Sequence, residues 1–193
     1  MAYTEPIRNK KDVQRLAKYF KERGELRNHV LIMLSIYTAL RVSDILSLKW
    51  DDVYDFERNR FNNAITLTEQ KTGKSKIVAL NREVISALKL CLPEAEKGAF
   101  LMLNERTGRA IGRIQAYRLI RDAAADIGIS PHVSCHSLRK TFGYHSVKAG
   151  VTPAILMEIY NHSSFAMTQR YLGLTQDDMN DVYLNLSFKP ERK

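Results

Sequence analysis

Four clusters of residues carry groups that could do chemistry on an anion. Arg41 follows a strongly apolar stretch and directly precedes a short helical signal. A guanidinium at such a buried junction needs a counter-ion or an anionic ligand. Asp44, three residues on, is the expected partner. His136 and Arg139 stand at i and i+3, so a helix would project both from one face. A planar fork that grips two oxygens beside a titratable imidazole suits a phosphate. His162 and Tyr171 lie nine residues apart, across a Ser163-Ser164 helix start. A tyrosine is a weak nucleophile at its free pKa and gains competence only where cations stabilise the phenolate. The run Lys71-Thr72-Gly73-Lys74-Ser75-Lys76 places lysines at a turn, where one can reach a neighbouring groove as a mobile point charge or proton donor. Read singly, each cluster has a plainer meaning: a structural ion pair, a surface helix start, one tyrosine among nine, a solvated turn.

The elements that must position these groups are mostly helical. Val13, Leu16, Ala17 and Phe20 form one apolar stripe on a helix that ends at Gly24. Residues 26–39 are apolar enough to form the central buried helix. Ser43 is placed to cap a short helix carrying Ile45, Leu46 and Leu48. The period then changes: residues 64–68 and 76–80 read as two strands joined by a turn at 71–74, a hairpin. Helices resume over 82–92, from about 111 to before Gly128, and over 135–149. Thr152-Pro153 opens another, Ser163 or Ser164 caps one running through Tyr171, and Thr175 with Asp178 forms a capping box. Behind that box a tail helix, 176–187, carries Met179, Val182, Tyr183 and Leu186 on one stripe. The expected fold class is mainly α with a small antiparallel β-sheet on its flank.

The whole chain fits that reading. Its 193 residues suit one domain, taken as 1–187, with a short basic end at 188–193. Apolar residues at 45% and charged residues at 26% are a globular balance. No apolar run is long enough to span a bilayer, and residues 1–10 carry no secretory signal. Cys91 and Cys135 form neither a CxxC pair nor a disulfide framework, which fits a reduced cytoplasmic setting. His132, Cys135, His136 and His145 lie close in sequence, but zinc sites draw ligand pairs from two segments and no second pair appears; no metal is expected. Thirty Lys and Arg against 21 Asp and Glu give a net charge of +9, which favours a polyanionic partner.

In order, the chain presents Thr38-Ala-Leu-Arg-Val-Ser-Asp-Ile-Leu-Ser-Leu, Lys71-Thr-Gly-Lys, His136-Ser-Leu-Arg-Lys-Thr, and His162-Ser-Ser through Tyr171. This ordered set resembles the catalytic domain of the tyrosine recombinase, or phage integrase, family, from residue 38 to 171. The resemblance implies that Tyr171 attacks a DNA phosphate to form a 3′-phosphotyrosine while the 5′-hydroxyl leaves. Arg41 and Arg139 would bind the non-bridging oxygens, and His162 would add a hydrogen bond to the same group. Lys71 would be the general acid, His136 an acid/base near the tyrosine, and Asp44 the residue that holds Arg41. Five potential cations would replace a metal, so no cofactor is implied. Lys74, Lys76 and Lys140 would contact flanking phosphates.

Departures from the family pattern are Ala39 for a frequent glycine, Lys140 for a frequent histidine, and Tyr160-Asn161 for Leu-Gly. Asparagine tolerates a left-handed backbone. The family's N-terminal core-binding domain is expected to be absent. The resemblance further implies double-stranded DNA at an attachment site as partner and no membrane. Other protomers would dock through the tail helix, as a tetramer on DNA. Rival readings are a catalytically silent DNA-binding regulator on the same scaffold and a type IB topoisomerase-like enzyme.

Overall fold

A computed structural model describes residues 4–129 and 132–185. Helix α1, Lys10–Glu22, starts where the Asn9 side chain accepts from the Lys11 N–H, and it buries Leu16, Tyr19 and Phe20. Helix α2, Leu26–Tyr37, is buried at every position from Asn28 to Ile36 and packs against α1, α4 (Arg82–Cys91) and α6 (Cys135–Lys148). It is the central helix that its apolar composition predicts.

Helix α3, Val42–Ser47, begins two residues earlier than a Ser43 cap would place it. Arg41 itself is its N-cap, in an extended conformation. Strands β1 (Tyr54–Asp55) and β2 (Arg60–Phe61) form a short ladder. Strands β3 (Ala64–Thr68) and β4 (Ser75–Ala79) form the main hairpin, in register from Ala64 opposite Ala79 to Thr68 opposite Ser75. Strands β5 (Leu103–Asn104) and β6 (Arg109–Ala110) make a third pair. The single flanking sheet expected is thus three separate two-stranded ladders among the described residues. The two added ones have strands of two residues, too short to leave an alternation in the sequence.

Helix α5 is Arg113–Asp126, and the last quarter holds α7 (Pro153–Tyr160), α8 (Phe165–Leu172) and α9 (Gln176–Asn185). Ser134 caps α6 by accepting from the backbone N–H of His136 and Ser137, and this fixes the His136–Arg139 face at the first turn of α6. The expected end of the tail helix, residues 186–187, and the basic end, 188–193, lie outside the described residues.

One large core fills the space between α1–α6 and the ladders. A second, small one gathers Ala39, Leu156, Tyr160 and Leu172 between α2, α7 and α8. The functional clusters meet around this second core.

Candidate active site

Helix α8 brings Tyr171 against groups from two other segments. Its ring centre lies 4.9 Å from that of His162 and 6.0 Å from that of His136. The Arg139 guanidinium carbon stands 5.8 Å and the Lys140 ammonium 5.9 Å from the same ring. Residues spread over 36 positions of sequence thus converge on one phenol.

Arg139 is 1% exposed. One Nη donates to the Ala39 carbonyl, the other to the Tyr160 carbonyl at 3.1 Å, and Nε has no hydrogen-bond partner. Burial and then the nearby Arg41 charge pull its pKa down. His162 is nearly buried between Tyr160 and Tyr171, with Nδ1 3.0 Å from Thr168 Oγ1. Burial, Arg139 and Arg41 lower its pKa to about 4, so the ring is neutral at pH 7. His136 is also held below its ordinary value, by partial burial and then by Arg139, Lys140, Lys71 and Arg41. Of the five groups expected as cations, the two histidines therefore enter as neutral donors or acceptors.

The expected Arg41–Asp44 pair does not form. Asp44 faces the hairpin, where Oδ1 accepts from the Gln70 N–H at 3.1 Å and Oδ2 is unpartnered. Its place on the first turn of α3 directs it to the chain leaving β3. Arg41 instead pairs with Glu69, Nη1 to Oε1 at 2.7 Å, close in charge but off the line of a hydrogen bond. Glu69 is fully buried. Burial, the largest influence, would raise its pKa, yet the adjoining Arg41 guanidinium and the hydrogen bonds from Thr72 and Asn161 together outweigh it and hold the carboxyl below its ordinary value. Thr72 Oγ1 and Asn161 Nδ2 donate to its Oε2 at 2.8 and 3.1 Å.

The hairpin lysines part company. Lys71 and Lys74 are exposed at the tip, and the charge of Lys71 reaches both histidines. Lys76 is no surface contact for DNA: its side chain is 9% exposed, and Nζ donates to the Ile159 carbonyl at 2.5 Å and lies 3.9 Å from Glu69. Burial, then Arg139, brings its pKa down to about 8. Strand alternation carried this signal, because Lys76 shares a strand face with buried Val78 and Leu80 while Ile77 points outward, 73% exposed. Lys140 sits beside the site, its Nζ donating to the Thr4 carbonyl at 2.5 Å.

Asn161 adopts the left-handed conformation that its place in the motif requires, with φ 58°. Tyr160 fits because α6 has a glycine opposite it: a Cβ on Gly143 would lie 2.3 Å from the Tyr160 hydroxyl, which donates to the Arg139 carbonyl at 2.9 Å. Among the described residues no three of His, Cys, Asp and Glu gather as a metal set, and His145 is tied to the Ile7 carbonyl at 3.0 Å.

Sequence reasoning missed Glu69 because, between a strand and a turn, an acidic residue reads as polar surface. Its one trace is its position two residues before Lys71.

Comparison with known proteins gives the family. Residues 8–177 match the phage integrase family. A probable integrase/recombinase, YoeC of Bacillus subtilis, is 33% identical over 183 residues, 95% of this chain and 97% of that protein. Tyrosine recombinase XerD of Mycobacterium tuberculosis is 31% identical over 166 residues, 82% of this chain but 51% of XerD; this chain thus spans about half of XerD. Among solved structures, XerA recombinase superposes with a TM-score of 0.77 at 25% identity, covering 97% of this chain and 67% of XerA. A lambda integrase dimer bound to a COC′ core site shares the fold with a TM-score of 0.67 at 17% identity, over all of this chain and 53% of that one. The chain belongs to the phage integrase family, and its fold is that of the tyrosine recombinase catalytic domain.

Proposed function

We propose that this chain is a site-specific DNA recombinase that cuts and rejoins strands through a 3′-phosphotyrosyl intermediate. The observation that carries the reading is the gathering of His136, Arg139 and His162 around the Tyr171 ring. A second supports it. The unpartnered atoms of Arg41, Asp44, Glu69 and Arg139, the buried orphans among the described residues, all lie in this site. Two of them, Arg41 Nη1 and Arg139 Nε, are donors, and orphaned buried donors suit an anionic ligand that completes them.

Tyr171 Oη attacks phosphorus, its proton passes to neutral His136, and the P–O5′ bond breaks. The 5′-oxygen takes a proton from Lys71, which is exposed at the hairpin tip. Arg41 and Arg139 neutralise charge on the non-bridging oxygens, and neutral His162 donates one hydrogen bond. Such a transfer rests on in-line placement and charge stabilisation. Asp44 serves by pinning the Gln70 N–H, and with it the hairpin, rather than by holding Arg41. Residues 1–187 act as the catalytic domain. The partner is double-stranded DNA in a reduced, cytoplasmic setting, with Lys74 and Lys140 near flanking phosphates.

Assembly is as a tetramer on DNA, joined by α9. Met179, Val182, Tyr183 and Leu184 are exposed on that helix, and a cavity of about 380 Å³ lies between α1, α2 and α6, lined by Val13, Ile36, Tyr37, Phe142 and Val151.

The test is a covalent adduct on a denaturing gel, using nicked suicide duplexes bearing candidate attachment sequences. Wild type forms the adduct and Tyr171→Phe forms none. A wild-type protein that binds such a duplex tightly and never forms the adduct is the silent regulator instead.

A further inference from the structure

Glu69 takes no part in the reaction outlined above, yet it contacts four groups of the site. Its Oε2 accepts from Thr72 in the hairpin and from Asn161 in the turn that carries His162. Its Oε1 lies 2.7 Å from Arg41 and 3.9 Å from Lys76. One carboxylate therefore joins the N-cap of α3, the hairpin and the end of α7. Around it, three buried or nearly buried cations, Arg41, Lys76 and Arg139, face two buried carboxylates, Asp44 and Glu69. The balance is a single positive charge, which matches one phosphodiester.

We propose that Glu69 is a positioning residue and the resident counter-anion of Arg41. It holds the guanidinium for the scissile phosphate and keeps the buried site at one positive charge. Two effects of opposite sign follow. The carboxylate repels any anion that enters, so it weakens phosphate binding. It also fixes Arg41 and ties the hairpin to the His162 turn, so it speeds the chemical step. A residue that only supports the fold has one sign, because losing it weakens binding and turnover together.

This inference rests on the recombinase reading for its second effect and is independent of it for the first. The probe for the first is inorganic phosphate, titrated at low ionic strength by calorimetry into the 193-residue wild-type protein and into Glu69→Gln. Removing a charge so close to the anion should tighten phosphate binding about tenfold. On the duplex that wild type cleaves, the same variant should form adduct about 10²-fold more slowly, as expected for a misplaced clamp. Phosphate affinity equal to or below that of wild type overturns the counter-anion role, and wild-type adduct rates overturn the positioning role.

Should Glu69→Gln fail to fold, Thr72→Val keeps the charge and removes one bond to Oε2. Phosphate affinity should then stay at the wild-type value while adduct formation falls about tenfold. Unchanged adduct formation in that variant overturns the proposal. If wild type forms no adduct on any duplex, the recombinase reading fails, and the phosphate titration alone decides the counter-anion role.

Discussion

Lys76 shows how far burial changes a side chain that the sequence presents as an ordinary turn lysine. Its ammonium sits among Arg41, Arg139 and Glu69, with a pKa near 8. Below pH 8 both the folded and the unfolded chain hold this proton, and the fold bears the cost of a buried charge. Between about 8 and the ordinary 10.5 the unfolded chain keeps the proton while the folded one has released it. Stability should therefore rise with pH across that window, and the rise should vanish in Lys76→Met. Anion affinity should move the other way, falling as pH passes 8, because the site loses a cation. Denaturant unfolding and phosphate titration at pH 7, 8 and 9 check both signs.

Residue types were legible at this scale, and charge states were not. His162 is visible as a residue at a fixed distance from Tyr171. Its neutrality depends on Arg41 and Arg139, which arrive from 121 and 23 residues upstream in the sequence. No local pattern encodes that meeting. Asp44 misled for a related reason: spacing offered it to Arg41, but the direction of a first-turn side chain gave it to the hairpin.

At the scale of elements, the helices declared themselves through caps and periodicity. The Thr152-Pro153 start and the Thr175–Asp178 box lie where sequence signals place them. What packs against what stayed hidden, and Gly143 is the clearest case. In sequence it is a glycine inside a helix, with a cost and no stated reason. In the fold it lets α6 approach Tyr160, the bulky residue that stands where the family commonly has leucine. Gly143→Ala should destabilise the protein by about 1–3 kcal/mol, as overpacked cores do. Tyr160→Phe removes the oxygen that the new methyl meets, so the double variant should recover part of that loss. Equilibrium denaturation of the four proteins in a cycle measures the coupling, and simple additivity would count against this packing account.

For the whole molecule, the charge of +9 divides into two populations. Arg41, Lys76 and Arg139 are buried in the site, whereas Lys71, Lys74, Arg113 and Arg118 stay exposed. Only exposed cations can trade counter-ions with a DNA backbone, so duplex affinity should fall with a log–log salt slope of about −0.9 per phosphate engaged. The slope should therefore report fewer phosphates than the lysine and arginine count implies. Helix α9 adds an expectation about assembly. Its base is held by the Lys148–Asp178 pair at 2.5 Å, while Met179, Val182, Tyr183 and Leu184 stay exposed. We expect a monomer without DNA and higher assembly on it. Light scattering that finds a stable tetramer of the free protein would contradict this.

The bond from Lys76 to the Ile159 carbonyl has a mechanical meaning as well. It fastens strand β4 to the last turn of α7, one residue before Tyr160 and three before His162. The tip of the hairpin carries Lys71, the proposed proton donor. A shift of β4 at Lys76 would pull on the turn that holds His162. If Lys71 and His162 act as proposed, a displaced hairpin would therefore disturb the proton donor and the hydrogen-bond donor to phosphate at once.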